Sequence, residues 1–489
     1  DNNNPMTTRL AALIFLLTTL TLSAFSQTLT LHGTIHDTQA NAYVEVPFTL
    51  PPDTERLTVA FRYTKQDHAV LDLGVRDPDR FRGWSGGNKS TFTIGLSDAT
   101  PSYLPGPLPS GQWNIILGVA NLRPHKTADY TIDISFTKAG AAGGAESFTA
   151  APLRTEPRWY RGDLHMHTAH SDGSCPSQSG KPVPCPLFLT LQSAARQNLD
   201  FVAVTDHNTT SHFNDQRELQ PFFDQLLLIP GREVTTYSGH ANVYGTTSFI
   251  PFFLGTPSAP TMNAIFQSAH RLGALTSINH PASPTGEVCM GCGWSPKPFD
   301  FRLADAIEAV NGRSPAHVKI WHQQLDAGLR PTAIGGSDNH RALAPPETHD
   351  FAGNPTTVVF APELSVAAIL DGIRAGHVFI DLTASRDRLL EVTANGIAHM
   401  GDTLTAPAAS SIDLAIHVAA CEGLRLQILL DGNPTPALSP QPITTADQTL
   451  HASLPSDGKQ HWLEADIVNE TGRLQLLGNP IYLNWHSKP

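Results

Sequence analysis

The sequence predicts an α/β domain of parallel strands and helical crossovers set between two β-sandwiches, and three observations carry that prediction. From Trp159 to about Leu382, short apolar strands such as FVAVT and TAIGGSD alternate with helical stretches such as LFLTLQSAARQN and MNAIFQSAHRLG, as parallel strands joined by helices do. From about Thr28 to Phe136 the text reads YVEVPFTL, RLTVAFRY, VLDLGVRD, WNIILGVA and YTIDISF, broken by Pro, Gly and Asp. Such short alternating strands belong to an antiparallel sandwich. After about Ser385 the helical signal fades, and LLEVTAN, SIDLAIHVAA, RLQILLDG, WLEADIVNE and LQLLGNPIYLNW repeat the sandwich pattern.

The expected units are therefore an N-terminal sandwich over 28–137, a linker over 138–158, the α/β domain over 159–385 and a C-terminal sandwich over 386–489. The linker is assigned on the Ala/Gly-rich KAGAAGGAESFTAAPLRTEP. A chain of 489 residues with 40% hydrophobic and 16% charged residues has apolar material for roughly three domains. A net charge of −12 argues against nucleic acid as a partner, because phosphate affinity comes from Lys and Arg.

Residues 6–26 read as a signal peptide. Met6 and Arg9 precede an apolar stretch from Leu10 to Leu22, and Ala24 and Ser26 suit cleavage before Gln27. The apolar stretch is shorter than the roughly 20 residues of a membrane span, so the expectation is a secreted or periplasmic protein with no stable membrane insertion after cleavage. Asp1 to Pro5 precede Met6 and are set aside. Export permits disulfides, and a bridge between Cys175 and Cys185 would staple the Pro/Ser/Gly-rich SCPSQSGKPVPC. Cys289 and Cys292 form a C-x-x-C in CMGCGW, and the four together offer a structural zinc site as the alternative. Cys421 is left over as a buried thiol.

The chemistry lies in five segments of the α/β domain. In GDLHMHTAHSDG, His165 and His167 stand at i and i+2 and point to one face of a strand end, with Asp172 arriving on the loop that follows. The strand FVAVT ends abruptly in Asp206-His207-Asn208, at the strand end where α/β folds place their sites. Glu233 follows LLLIPGR, His240 sits in SGHANVYG, and Asn279-His280-Pro281 follows ALTSI. In TAIGGSDNH, Asp338 and His340 repeat the i, i+2 spacing, and Gly335 and Gly336 leave room for backbone to crowd an ion.

These six imidazoles and three carboxylates are too many for one four-coordinate zinc. Two ions roughly 3.5–4 Å apart need a bridging carboxylate, for which Glu233 is placed, and a third ion would use the remainder. Water shared between two dications is acidified and oriented for in-line attack, so Glu233, Asp338 and His340 are the expected catalytic residues. No G-x-S-x-G elbow supplies a serine nucleophile.

HMHTAHSDG, VTDHN, the Glu233/His240 pair, NHP and GSDNH resemble, in order, the motifs of the PHP (polymerase and histidinol phosphatase) superfamily of metal-dependent phosphoesterases, over about Trp159 to Leu382. The flanking secreted layout is similar to the CehA/McbA-like branch, which includes carbamate-ester hydrolases. The resemblance implies a distorted (β/α)7 barrel with two or three divalent ions at its mouth. It assigns His165, His167, Glu233 and Asp338 to one ion, Glu233, His240 and His280 to a second, and Asp172, His207 and His340 to a third, with His170 competing with Asp172. Zinc, manganese and iron all suit such mixed N/O ligands.

Asp163 and Asp206 are expected to orient ligand imidazoles, and Arg232, Arg313, Arg341 and Asn311 to touch substrate. In the first sandwich Trp84, Trp113 and Tyr103 offer either a glycan-stacking surface or a packed core. The expected activity is hydrolysis of a small-molecule ester, phosphoester first, by a metal-bound hydroxide. The alternatives are a carboxylester, carbamate or amide hydrolase with the same centre, and a non-catalytic glycan- or partner-binding protein.

Overall fold

A computed structural model of the chain describes residues 27–138, 145–287, 289, 291–345, 348, 350–435, 438 and 441–486. The expected signal peptide and residues 139–144 of the expected linker lie outside the described residues. No helix among the described residues is long and apolar enough to cross a membrane.

Two four-stranded antiparallel sheets make up the first part of the chain. One runs β1 (Gln27–His36), β8 (Thr127–Lys138), β3 (Thr54–Tyr63), β6 (Thr91–Gly95), and the other β2 (Tyr43–Leu50), β7 (Gly111–Asn121), β4 (Val70–Arg76), β5 (Phe81–Gly86). Alternation along the strands drives this: Val46, Phe48 and Leu50 of β2 and Leu57, Val59 and Phe61 of β3 point into one core around Trp113. Trp113 and Tyr103 are buried there and present no ring face to a sugar; Trp84 is half-buried, edge-on to Tyr43.

The second part is built on β9 (Arg158–Asp163), β12 (Phe201–Val204), β13 (Leu227–Thr236), β14 (Gly239–Tyr244), β15 (Leu275–Ile278), β16 (Ala306–Asn311) and β17 (Thr332–Gly336), neighbours in that order. A small hairpin of β10 (Ser174–Pro176) and β11 (Pro182–Pro184) follows β9. Helices α1 (Leu187–Arg196), α2 (His212–Leu219), α3 (Met262–Arg271) and α4 (Val318–Asp326) connect the strands. α5 (Val366–Ala375) links β18 (Thr356–Ala361), which pairs with β9, to β19 (Val378–Asp381). β12, β15 and β17 are buried at every position, which explains their unbroken apolar runs.

What the pairing shows is a sheet-rich fold of several parts with few helices, and no closed barrel of seven parallel strands. β14 runs antiparallel to both β13 and β15: two residues, Tyr237 and Ser238, turn β13 into β14, and a parallel return needs a dozen or more. No ladder joins β17 to β9 among the described residues. Their extensions do meet: Asp338 N donates to His165 O at 2.8 Å and His167 N to Asn339 O at 3.0 Å. That contact brings the ends of β9 and β17 together at the site.

In the third part β20 (Leu389–Ala394), β21 (Ala398–His399), β23 (Ser411–Ala419) and β27 (Asp447–Pro455) form one sheet. Facing it are β24 (Arg425–Leu430), β28 (His461–Val468) and β29 (Leu474–Gly478), with the short β22 (Thr403–Leu404), β25 (Asn433–Pro434), β26 (Gln441–Pro442) and β30 (Ile481–Leu483) at the margins. β29 pairs with β19, so this second sheet continues the central one. Leu463, Ala465 and Ile467 of β28 enter the sandwich core, while Trp462 Nε1 donates to Asp326 Oδ1 at 3.1 Å and Glu464 Oε2 lies 2.9 Å from His322 Nε2 on α4.

Glu464 is fully buried, and burial pushes its carboxyl up to about 8. A carboxyl raised above its unfolded value adds stability that is complete below about pH 4.5 and lost as pH climbs through about 8. Glu464→Gln removes one of the two buried carboxyls of β28 that must ionise, Asp466 being the other. In urea unfolding at pH 9 it should exceed the parent by on the order of 1–3 kcal/mol, the gap closing toward pH 5. Parallel loss of stability in both proteins between pH 5 and 9 would refute this.

Candidate metal centre

The polar residues stand where apolar strands end: His165 and His167 after β9, His207 after β12, Glu233 and His240 on either side of the β13–β14 turn, His280 after β15, Asp338 and His340 after β17. A strand buried on both faces can end in polar groups only if they reach water or one another. Here they reach one another. Two of these residues hold left-handed backbone, His280 at φ +29° and Asp338 at φ +53°, a strain that non-glycine residues tolerate mainly where a site demands it.

Glu233 is at the middle. Its Oε2 lies 3.4 Å from His165 Nε2, 3.6 Å from His167 Nε2 and 2.8 Å from His207 Nδ1. Its Oε1 lies 3.2 Å from His240 Nδ1 and 3.3 Å from His280 Nε2. One carboxylate thus faces two groups of imidazoles, one per oxygen. Asp338 Oδ1 approaches His165 and His167 Nε2 at 3.3 and 3.1 Å, and Asp172 reaches His340 Nε2 at 3.3 Å and His207 Nε2 at 3.6 Å. Nitrogens and oxygens of His165/His167/Glu233, of His165/His280/Asp338, of Glu233/His240/His280 and of His167/Asp172/His207/His340 each gather within 4.8 Å. His170 is turned away, onto Ser211 and Asp215.

Charge explains the protonation pattern. Burial opposes a charge on His165, but Glu308, Asp338 and Glu233 outweigh it and raise its pKa well above the ordinary value. His207, likewise buried but beside Glu233 and Asp172, rises to about 10. Burial is overcome in the opposite sense at Glu233, held well below the usual carboxylate range by His165 and His207, and at Asp338, held there by His165 and His167. At His167 burial, helped by the charge on His340 and His165, outweighs Asp338 and Glu233, and its pKa is lowered.

These donors fit divalent ions. His165 Nε2 and Glu233 Oε2 are fully buried yet make no hydrogen bond. Three imidazoles have their far nitrogen tied down: His165 Nδ1 lies 2.6 Å from Glu308 Oε1, His280 Nδ1 donates to the Cys292 carbonyl at 3.1 Å, and His340 Nδ1 donates to the Asp338 carbonyl at 2.8 Å. Each then turns its Nε2 into the cluster, the orientation that metal-ligating histidines take.

Glu308 was not among the expected site residues. It is fully buried in β16, and its Oε2 accepts from His280 N at 3.0 Å and from Asn311 Nδ2 at 3.1 Å. A lone acidic residue inside the apolar AIEAV was the available signal. Gly336 makes room for it, since a side chain there would collide with Glu308 and His165. That space serves a carboxylate. Asn279, also unforeseen, donates from Nδ2 to Glu233 Oε1 at 2.9 Å.

Asp163 and Asp206 do not touch ligand imidazole rings. Asp163 accepts from the backbone of His165, Ser337 and Gly353, and Asp206 from Thr168 and Ser171; both hold loops. Cys175 and Cys185 are joined by a disulfide, as are Cys289 and Cys292, so a four-cysteine zinc site is not built. Cys421 is buried, which pushes its thiol up to about 11.

The cluster opens into a cavity of about 850 Å³ walled by Tyr237, Phe252, Phe253 and Leu254 opposite Asp172, His207, His240, His280, Asp338 and His340. Among the described residues no Lys or Arg lines it. Arg232 lies on the opposite face of β13 from Glu233, buried under the Phe249 ring with Nη2 donating to Ser248 O. Arg341 is paired with Asp350, Arg313 is exposed on the turn after β16, and Asn311 is bound to Glu308.

No family model and no curated protein matches the chain. Among solved structures, it is similar to a two-domain protein of Bacteroides vulgatus containing a predicted PHP-like metal-dependent phosphoesterase, at 19% identity and a TM-score of 0.39, over 70% of this chain and 98% of that one. A candidate metal-dependent phosphoesterase of Bifidobacterium adolescentis matches at 15% identity and a TM-score of 0.28, over 43% of this chain and 94% of that one. A CARDB domain of Pyrococcus furiosus matches at 8% identity and 0.14, over 20% and 95%. At such scores these likenesses add nothing to the geometry above.

Proposed function

We propose that the chain is an exported, metal-dependent hydrolase of ester bonds, with small phosphoesters as the first substrate class. One observation carries the reading: a single buried carboxylate, Glu233, faces five imidazoles with its two oxygens while Asp338 closes the same cluster. His165, His167, Glu233 and Asp338 would hold one ion, Glu233, His240 and His280 a second, and Asp172, His207 and His340 a third. Two or three divalent ions of zinc, manganese or iron bound there would neutralise charge on a substrate and acidify a water.

The chain's own residues do the rest. Glu308 and the Cys292 carbonyl fix the rings that face Glu233. His340 has 37% of its side chain exposed, the most open of the six imidazoles, and with two ions bound and the third position unused its Nε2 can pass a proton to a departing alkoxide. Phe252, Phe253 and Leu254 give one side of the cavity an apolar wall.

A second reading, an uncharged carboxylester, carbamate or amide, is favoured by the cavity wall. Its described residues include aromatic rings and no Lys or Arg, and phosphate sites are commonly clamped by those two. The two readings separate on 4-nitrophenyl phosphate, bis(4-nitrophenyl) phosphate, 4-nitrophenyl acetate and a 4-nitrophenyl carbamate, each with added manganese or zinc. Turnover of either phosphate above the others supports the first, and turnover confined to the acetate or carbamate the second. No turnover by metal-loaded protein, with Asp338→Ala changing only metal content, would leave a binding protein.

A further inference from the structure

The C-x-x-C of Cys289 and Cys292 belongs to the wall of the same cavity, yet hydrolysis gives its sulfurs nothing to do. The two Sγ atoms and a ring nitrogen of His240 all lie within 4.8 Å of one another. Cys292 and His240 are buried and Cys289 is half-buried. The loop carrying the pair is anchored independently of the sulfurs: Trp294 N donates to Pro281 O at 3.1 Å, Ser295 N to Ser238 O at 2.8 Å, and Gly293 N to Thr285 Oγ1 at 2.9 Å. Gly291, at φ +81°, packs its Cα against the Thr236–Tyr237 backbone so closely that no side chain fits. On the other side Gly286 N donates to Cys289 O at 3.0 Å, so the backbone of both cysteines is held beside His240 without the disulfide.

We propose that Cys289 and Cys292, once reduced, form with His240 a separate thiolate-rich site for a soft divalent ion such as zinc. Two cysteines two residues apart are a common zinc-ligand spacing, and three protein donors leave one tetrahedral position open. The opening step needs a dithiol. Its thiolate attacks one sulfur, the Cys289–Cys292 bond breaks, and its second thiol displaces the mixed disulfide. Two electrons and two protons pass to the protein, the dithiol leaves as a cyclic disulfide, and each protein thiol gives up its proton when the cation binds. The new site draws His240 away from Glu233, so reduction alters how many ions the cavity holds.

The test uses cobalt(II) on the full chain. Metal-stripped protein is divided, one half is treated with dithiothreitol that is then removed anaerobically, and both halves are titrated with Co²⁺. The reduced half should develop the strong near-ultraviolet sulfur-to-cobalt absorption, which the oxidised half lacks, and its Co²⁺ equivalents per chain should differ from the oxidised half's. Cys289→Ser/Cys292→Ser should lose both signals, and Cys175→Ser/Cys185→Ser should keep both. Alkylating the reduced wild type with iodoacetamide should abolish them without any substitution. No band in reduced wild type, a band surviving in Cys289→Ser/Cys292→Ser, or a band and stoichiometry unchanged in His240→Ala each overturns the proposal. Because the band reports sulfur on cobalt, it is independent of whether any ester is hydrolysed.

Discussion

Glu233→Gln should abolish most hydrolysis, lowering kcat on the order of 10³-fold, and should leave purified protein with at least one ion fewer per chain. The side chain keeps its volume, so the effect is one of charge. Glu233 touches imidazoles on both sides, and a neutral amide cannot bridge two cations. Losing one ion removes several kcal/mol of transition-state charge stabilisation, and about 4 kcal/mol corresponds to about three decades of rate. Elemental mass spectrometry and kinetics on the best substrate of the panel check the two halves together. Wild-type metal content with wild-type kcat in a folded Glu233→Gln protein would remove the basis of the hydrolase reading.

Glu308→Gln should weaken metal affinity by roughly 10–100-fold, the usual consequence of losing a carboxylate behind a ligating histidine. Glu308 never faces the cavity. It acts by fixing His165 through Nδ1 and the His280 backbone through its amide, so two ligands of different groups loosen at once. The substitution should raise the metal concentration needed for half-maximal activity and leave kcat at saturating metal within a few-fold. That split separates positioning from general damage, because a misfolded variant would lose kcat at every metal concentration. A Glu308→Gln protein with unaltered metal titration would show that His165 and His280 are held by other means.

These two residues also mark how far the sequence could be read. Glu233, at the end of an apolar run, was legible because a carboxylate there has no purpose in a buried strand unless cations meet it. Glu308 was not, since one acid inside AIEAV is equally consistent with a strand edge. Asp163 and Asp206 misled for a related reason: a carboxylate beside a ligand in the chain is just as able to hold backbone as imidazole. Alternation carries Arg232 away from the cluster, because, next to Glu233, it must point to the other side of β13.

What the amino-acid order determined alone was the kind of local structure and the kind of donor. Periodicity of two and of helical length is written in nearest neighbours, and an i, i+2 pair at a strand end shares a face whatever the rest of the chain does. What only the tertiary structure decided was which donors face which. The antiparallel β13–β14 return, the meeting of the β9 and β17 extensions at Asp338 and His165, and the merging of the last sandwich with the central sheet through β19 and β29 all depend on pairings between residues far apart in the chain. Those pairings are set by the packing of whole sheets, which no short window of sequence contains.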